Sequence, residues 1–143
     1  MIKFRGRGLW GGKMRNLLLG VAILALIGFI VVAVVLPQMA TSESRGAARA
    51  LVAGANGAKG QVAAAAEKAK NLAGSGKGVK LAPSNDPKHG EMKWIVEDDG
   101  TIRGWNAKNA IEIAITPHLR GGKVDWSCKG YPNDAMPASC GGG

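Results

Sequence analysis

Large and chemically reactive side chains are scarce in this chain. Its 143 residues include four Trp, two Phe, one Tyr, two His and two Cys. With so few large apolar groups, a folded domain can build only a thin core, which a docked helix or a disulfide would have to support. The histidines, His89 and His118, are expected on the surface. Neither joins the cysteines in a nucleophile–base arrangement or a zinc pattern, so we expect no enzyme, metal site or cofactor.

Acidic residues are absent from residues 1–16, a Gly-rich leader or cytoplasmic tail that carries five basic residues, Lys3, Arg5, Arg7, Lys13 and Arg15. The next stretch, residues 17–36, reads LLLGVAILALIGFIVVAVVL and has no charge. A helix of about twenty residues spans roughly 30 Å, the thickness of the hydrocarbon core of a bilayer. The basic residues before it predict a cytoplasmic N-terminus and an exported C-terminal part. The alternative is a cleaved signal peptide, whose apolar region is usually shorter.

The apolar segment contains two glycines and is followed by one proline. Gly20 and Gly28 lie near one face, where glycine permits close approach of a second helix; ordinary tolerance of glycine in membrane helices explains them equally well. Pro37 follows Leu36 at the end of the apolar run and predicts a kink, beyond which the helix resumes.

Residues 37–74 are predicted to continue as an amphipathic helix. Small apolar residues recur at steps of four and three, which places them on one face; they are Leu51, Ala55, Ala58, Val62, Ala65, Ala69 and Leu72. We expect this helix to end at Gly74. The GSGKG sequence that begins there lacks the spacing of a phosphate-binding loop, and residues 75–90 are expected to form a linker loop.

Residues 91–143 change to an alternation of period two, which predicts strands with one buried face. Asp99-Gly100 is a hairpin signal between the first two strands. We expect three or four antiparallel strands covered by the residue 37–74 helix, and therefore an α+β fold. Cys128 and Cys140 are expected to form a disulfide in an exported domain, worth about 3 kcal/mol for a loop of this size. Two free thiols in a cytoplasmic domain are the alternative.

The C-terminal sequence AIEIAITPHLRGGKVDWSCKGYPNDAMPASC resembles the end of a type IV pilin. The likeness rests on Ile115-Thr116-Pro117, on Trp126-Ser127-Cys128 and on Pro137-Ala138-Ser139-Cys140, together with the apolar helix that ends in Leu36-Pro37. It implies a bacterial inner-membrane protein that becomes a subunit of a cell-surface filament. The filament would be a homo-oligomer built through the N-terminal helix, Leu17 to Leu36, with roles such as adhesion or motility. The implied partners are the pilus assembly machinery and a prepilin peptidase.

The chain departs from the pilin pattern at the head of the helix. Pilins have a Gly before the cleavage point and a Glu five residues into the mature helix. Here Arg15 stands where that Gly belongs, and Gly20 stands near the Glu position. Cleavage could instead follow Gly8 or Gly12. The resemblance therefore points to a minor, atypical or unprocessed pilin.

Two other functions compete with a structural filament subunit. A membrane-anchored pseudopilin that never polymerises would explain why the Gly before the cleavage point and the Glu of the mature helix are both missing. A DNA-binding pilin of an uptake apparatus would use the net charge of +9, because phosphate contacts come from basic side chains. Basic residues of the exported part that could make such contacts include Lys77, Lys80, Lys88, Lys93, Arg103, Arg120, Lys123 and Lys129.

Overall fold

The structure, a computed structural model, describes residues 12–142. The chain divides into two compact units, Met1–Met39 and Ala40–Gly143. Within the described residues, the first unit is helical and the second combines helices with an antiparallel sheet. The predicted α+β class, with an apolar N-terminal helix and a C-terminal disulfide, is confirmed.

The first unit contains helix α1, Gly12–Ile30, followed by a π-helical segment, Val31–Val35. Helix α2, Leu36–Gly54, begins directly afterwards, so the helix resumes past Pro37 as expected. Proline has no backbone N–H, so the usual donor to the carbonyl of Ala33, four residues earlier, is missing. A π turn is one way in which a helix accommodates such a break. The kink itself stays a prediction.

The helical part of the second unit is interrupted and shorter than expected. Helix α3 spans Asn56–Ala69 and is separated from α2 by a turn residue, Ala55. The predicted end at Gly74 is wrong. Lys70 adopts a left-handed conformation with φ of 52°, and its N–H bonds to the carbonyl of Ala66, which closes the helix. Residues 71–78 then form turns and bends.

The buried face of α2 and α3 agrees with the predicted stripe in its first half and departs from it in the second. Leu51, Ala55, Ala58 and Val62 are all fully buried. Beyond Val62 the next buried residue is Ala66, whereas the predicted Ala65 and Ala69 are exposed. In a run of consecutive alanines, side-chain size gives no indication of which residue faces the core.

Five strands form one antiparallel sheet in the order β1-β2-β3-β4-β5. Their bounds are Ser84–Asp86 for β1, Gly90–Val96 for β2, Ile102–Asn106 for β3, Ile111–Arg120 for β4 and Lys123–Tyr131 for β5. The sequence predicts three or four, because β1 lies within the predicted linker, residues 75–90. It is a polar segment of three residues with no alternation to reveal it, and only its pairing with β2 makes it a strand.

The hairpin between β2 and β3 turns at Asp99-Gly100, as predicted. Gly100 has a φ of +91°, a region that other residues rarely adopt. A Cβ at this glycine would also lie 2.6 Å from the Val62 side chain on α3. The carboxylate of Asp99 accepts a hydrogen bond of 2.9 Å from the N–H of Thr101. The sharp turn thus lets the hairpin pack directly against α3.

The core lies between the helices of the second unit and the inner face of the sheet. Its largest apolar members are buried Leu51 and Val62 from the helices and Ile102, Ile111, Ile113 and Ile115 from β3 and β4. Each such side chain contributes roughly 1.5–3 kcal/mol when fully buried. The prediction that the helix covers the apolar face of the sheet is therefore confirmed, for the part of the helix after Met39.

The C-terminal segment folds back onto β5 through two short 3-10 helices, Asn133–Ala135 and Ala138–Cys140. The predicted disulfide between Cys128 and Cys140 is present, across 12 residues of sequence. Between the cysteines, Met136 is only 4% exposed and belongs to the core. The Arg45 side chain on α2 donates a hydrogen bond of 3.1 Å to the carbonyl of Asp134. The disulfide therefore joins the two ends of this loop, while Met136 and the hydrogen bond from Arg45 hold its middle against the domain.

Candidate functional site

The most unusual surface of the described chain is the apolar helix at its N-terminal end. Residues Gly12–Val34 form a helix of 23 residues that is long and apolar enough to cross a membrane. None of the residues of α1 is buried, and Leu24 and Phe29 are 70% and 69% exposed. A signal sequence near the N-terminus can meet the same criteria of length and composition. Exposure of such a surface to water costs about 25 cal/mol per Å² of apolar area.

The helix carries the two predicted glycine positions. A Cβ built at Gly20 or at Gly28 would meet no atom within 4 Å. The glycines therefore leave two shallow notches among large apolar neighbours such as Leu17, which is 65% exposed. At 100° per residue the notches lie about 80° apart around the helix axis. Glycine in a membrane helix permits close approach of another helix backbone; that Gly20 and Gly28 serve this purpose stays a prediction.

The candidate cleavage positions fall partly outside the described residues. Gly8 lies outside them. Gly12 begins α1, and Arg15 lies in its first turn, where it is exposed. Leader removal at any of the three positions stays a prediction.

All eight basic residues proposed for the DNA-binding alternative are exposed, but they lie on different elements. Two of them are paired with acids on the sheet: Lys93 with Glu91 at 3.3 Å, and Arg103 with Glu97 at 2.7 Å. Exposed pairs of this kind add little stability, yet they reduce the positive potential of that face. Strand register places Arg103 and Lys129 on either side of Ala114, and Arg120 opposite Lys123. DNA binding through these residues stays a prediction.

His89 is not the simple surface residue that the sequence predicts. Its ring lies against α2, where a Cβ at Gly46 would be 2.9 Å from the ring carbon Cε1. Its Nδ1 is buried and has no hydrogen-bond partner. Its backbone is held by Asp86, whose Oδ1 accepts from the N–H of His89 at 2.9 Å, and by Asn106, which donates to the His89 carbonyl at 2.7 Å. Nothing in the local sequence marks the contact with Gly46.

Asp86 has a perturbed ionisation. Its carboxylate accepts hydrogen bonds from the N–H groups of His89 and Lys88, at 2.9 and 2.7 Å. These two bonds hold the pKa of Asp86 below its ordinary value, because they stabilise the charged form. The role of Asp86 is structural, since it fixes the turn between β1 and β2. His118, on β4, is half-buried, and its Nε2 lies 2.9 Å from the Ser127 hydroxyl.

Within residues 12–142, no group of three or more His, Cys, Asp or Glu side chains is placed to hold a metal ion. The cysteines are joined to each other. The chain matches no protein-family model, no curated protein and no solved structure.

Proposed function

We propose that this protein is a structural subunit of a bacterial type IV pilus-like filament, held in the inner membrane by its N-terminal helix before assembly. The observation that carries the proposal is the uniformly exposed apolar surface of α1 on a chain whose C-terminal part is a disulfide-bonded α+β domain. Its support from sequence is the pilin-like pattern around Cys128 and Cys140. The domain would lie outside the cytoplasm, where disulfides persist.

The physical mechanism is a transfer of the helix between two apolar environments. In the bilayer the helix satisfies its own backbone hydrogen bonds. In a filament the same surface is buried against copies of itself, so no apolar area meets water in either state. The free-energy difference is then set by helix–helix packing and by contacts between the outer domains. Gly20 and Gly28 contribute by letting neighbouring helices approach closely.

A membrane-anchored protein that never polymerises is the second candidate. Arg15 and Gly20 favour it, since they occupy the positions where pilins carry the cleavage-site Gly and the helix Glu. In pilins that Glu is thought to pair with a neighbour's N-terminal amine and so fix the register, for which a buried ion pair is well suited.

The proposal is tested by shearing cells that express the full chain together with a type IV assembly machinery. We expect the protein in the sheared filament fraction, and the N-terminal residue recovered from it shows whether a leader was removed. If all of the protein stays in the inner-membrane fraction, the second candidate is correct.

A pair of variants tests the helix face. Gly20→Ile and Gly28→Ile fill the notches while keeping the segment apolar, so we expect normal membrane insertion and loss of filaments. Ala22→Ile is the matched control, because Ala22 lies about 160° around the helix from the centre of the two glycines. If all three variants form filaments equally well, the notches are not the packing surface.

A further inference from the structure

The outer face of the sheet holds a hollow that neither the core nor the apolar helix uses. It has a volume of about 430 Å³ and is lined by Trp105, Glu112 and Tyr131, with Asn106, Ala107, Ala110 and Ile111 at its side. In the strand register, Trp105 lies directly opposite Glu112, which lies directly opposite Tyr131. Adjacent strands are about 4.8 Å apart, so the two aromatic residues are about 10 Å apart with the carboxylate between them.

Trp105 is the one tryptophan among the described residues whose indole makes no specific polar contact. Trp94 donates its indole N–H to the carbonyl of Leu51 at 3.0 Å. Trp126 is covered by the ammonium group of Lys59, 5.5 Å from the ring centroid. Trp105 has neither kind of partner within the described chain. The protein thus already uses a tryptophan ring to bind a cation, and it leaves a second ring available on the opposite face of the sheet.

Glu112 is also unpartnered within the described part of the chain, where the only ion pairs are those of Glu91 with Lys93 and Glu97 with Arg103. Both cations of those pairs lie near the hollow. Lys93 is directly opposite Trp105 on β2, but its ammonium is 3.3 Å from Glu91. Among the described residues, Glu112 therefore lies between two aromatic residues without an ion-pair partner. The nearest free cation on β5 is exposed Lys129, two residues before Tyr131, which lines the adjoining hollow.

We propose that this hollow binds a small quaternary ammonium solute, with its cationic head between Trp105 and Tyr131 and above Glu112. Aromatic faces are negative and attract cations, and tryptophan and tyrosine do so best. The negative charge of the Glu112 carboxylate adds an attraction to the positive charge of the ligand. An anionic ligand is disfavoured for the same reason.

Hydration favours a quaternary over a primary ammonium group. A primary ammonium has three N–H donors and is strongly hydrated, so it would have to give up bound water to lie against the ring faces. A quaternary ammonium has no donors to satisfy and is bound through charge and contact with ring faces. At exposed rings the attraction between a cation and a ring face is weak, so we expect a dissociation constant for the ammonium ligand on the order of 1 mM.

The experiment uses the full chain in a polyoxyethylene detergent, which contains neither ammonium nor sugar groups. Choline is titrated against its neutral isostere, 3,3-dimethylbutan-1-ol, at constant ionic strength, and binding is followed by the NMR signals of the indole N–H groups. We expect choline to shift the Trp105 signal and to leave those of Trp94 and Trp126 unchanged. The neutral isostere should bind at least about fivefold more weakly, the factor expected for one exposed charge interaction.

Variants separate the contributions of charge and ring. Glu112→Gln should weaken choline binding about fivefold, whereas Asp125→Asn, which removes the same charge from an exposed residue of β5, should leave it unchanged. Tyr131→Leu should weaken binding and Tyr131→Phe should preserve it; since Tyr131 is 71% exposed, neither substitution should disturb folding.

Four results would overturn the proposal. Two concern charge: choline and its isostere bind equally well, or Glu112→Gln and Asp125→Asn lose the same amount of choline affinity. The other two are loss of choline binding in Tyr131→Phe and tighter binding of glucose or of Nα-acetyl-lysine amide than of choline. The first would show a merely apolar hollow. The last would show a sugar site or a docking site for a lysine side chain.

Discussion

The indole N–H of Trp94 donates a hydrogen bond of 3.0 Å to the carbonyl oxygen of Leu51, at the point where α2 ends. In an unbroken helix, that carbonyl would accept from the N–H of Ala55. Here the N–H of Ala55 bonds to the carbonyl of Val52 instead. The side chain of a strand residue thus occupies the place of the missing helical donor, at the point where the helix is interrupted.

Replacing Trp94 by Phe should destabilise the protein by about 1–3 kcal/mol. The substitution leaves the carbonyl of Leu51 without its donor and removes part of a ring that packs against the core. Urea denaturation of the full chain in detergent, followed by circular dichroism, measures the change. An unaltered midpoint would show that water replaces the indole at no cost.

Glycine at position 54 is required by the same contact. A Cβ there would overlap the Trp94 indole, so we expect Gly54→Ala to lower the free energy of unfolding by more than about 1 kcal/mol. Gly57→Ala is the matched control, because Gly57 lies in α3 and a Cβ added to it would meet no atom within 4 Å. That change should stabilise the protein by about 0.5–1 kcal/mol. The measurement is again urea denaturation, and effects of the same sign at both positions would contradict this explanation.

Removal of the disulfide should cost about 3 kcal/mol, the value expected for a closed loop of this length. The double substitution Cys128→Ser and Cys140→Ser leaves this segment held by the packing of buried Met136 and by the hydrogen bond from Arg45 to the Asp134 carbonyl. The measurement is the thermal midpoint of the wild type with and without reductant, beside that of the double variant. Reductant should lower the wild-type midpoint and leave the variant unchanged.

Stability should fall at acid pH partly through Asp86. Its pKa is lowered in the folded state by the N–H groups of His89 and Lys88, so its ionised form favours folding. That contribution is complete above the unfolded pKa, near 4, and is lost as pH falls through the folded value. Asp86→Asn should therefore flatten the acid side of the stability profile, measured as urea midpoints across pH.

The control for this prediction is Asp125→Asn. Asp125 is exposed on β5, so this variant removes one surface carboxylate without removing the turn hydrogen bonds that Asp86 accepts. It separates the loss of those hydrogen bonds from the general loss of one negative charge. Identical profiles for the wild type and Asp86→Asn would refute the assignment.

Local patterns were sufficient for much of this fold. Uncharged residues 17–36 indicate the apolar helix, because length and composition alone decide whether a segment can span a bilayer. The alternation in residues 111–116 and the Asp99-Gly100 turn predict β4 and the first hairpin, because both depend on neighbours in sequence. The pairing of Cys128 with Cys140 follows because the described chain offers these thiols no other partner.

Only the tertiary structure decided the features that depend on residues far apart in the chain. The break at Ala55 coincides with the hydrogen bond from Trp94, the contact of the His89 ring with α2 needs the absence of a Cβ at Gly46, and β1 exists only through its pairing with β2. The hollow at Glu112 likewise forms because register places Trp105 and Tyr131 on either side of it. Sequence determines which side chains are apolar, charged or able to turn; contacts between distant segments determine which of them are satisfied and which remain free to bind.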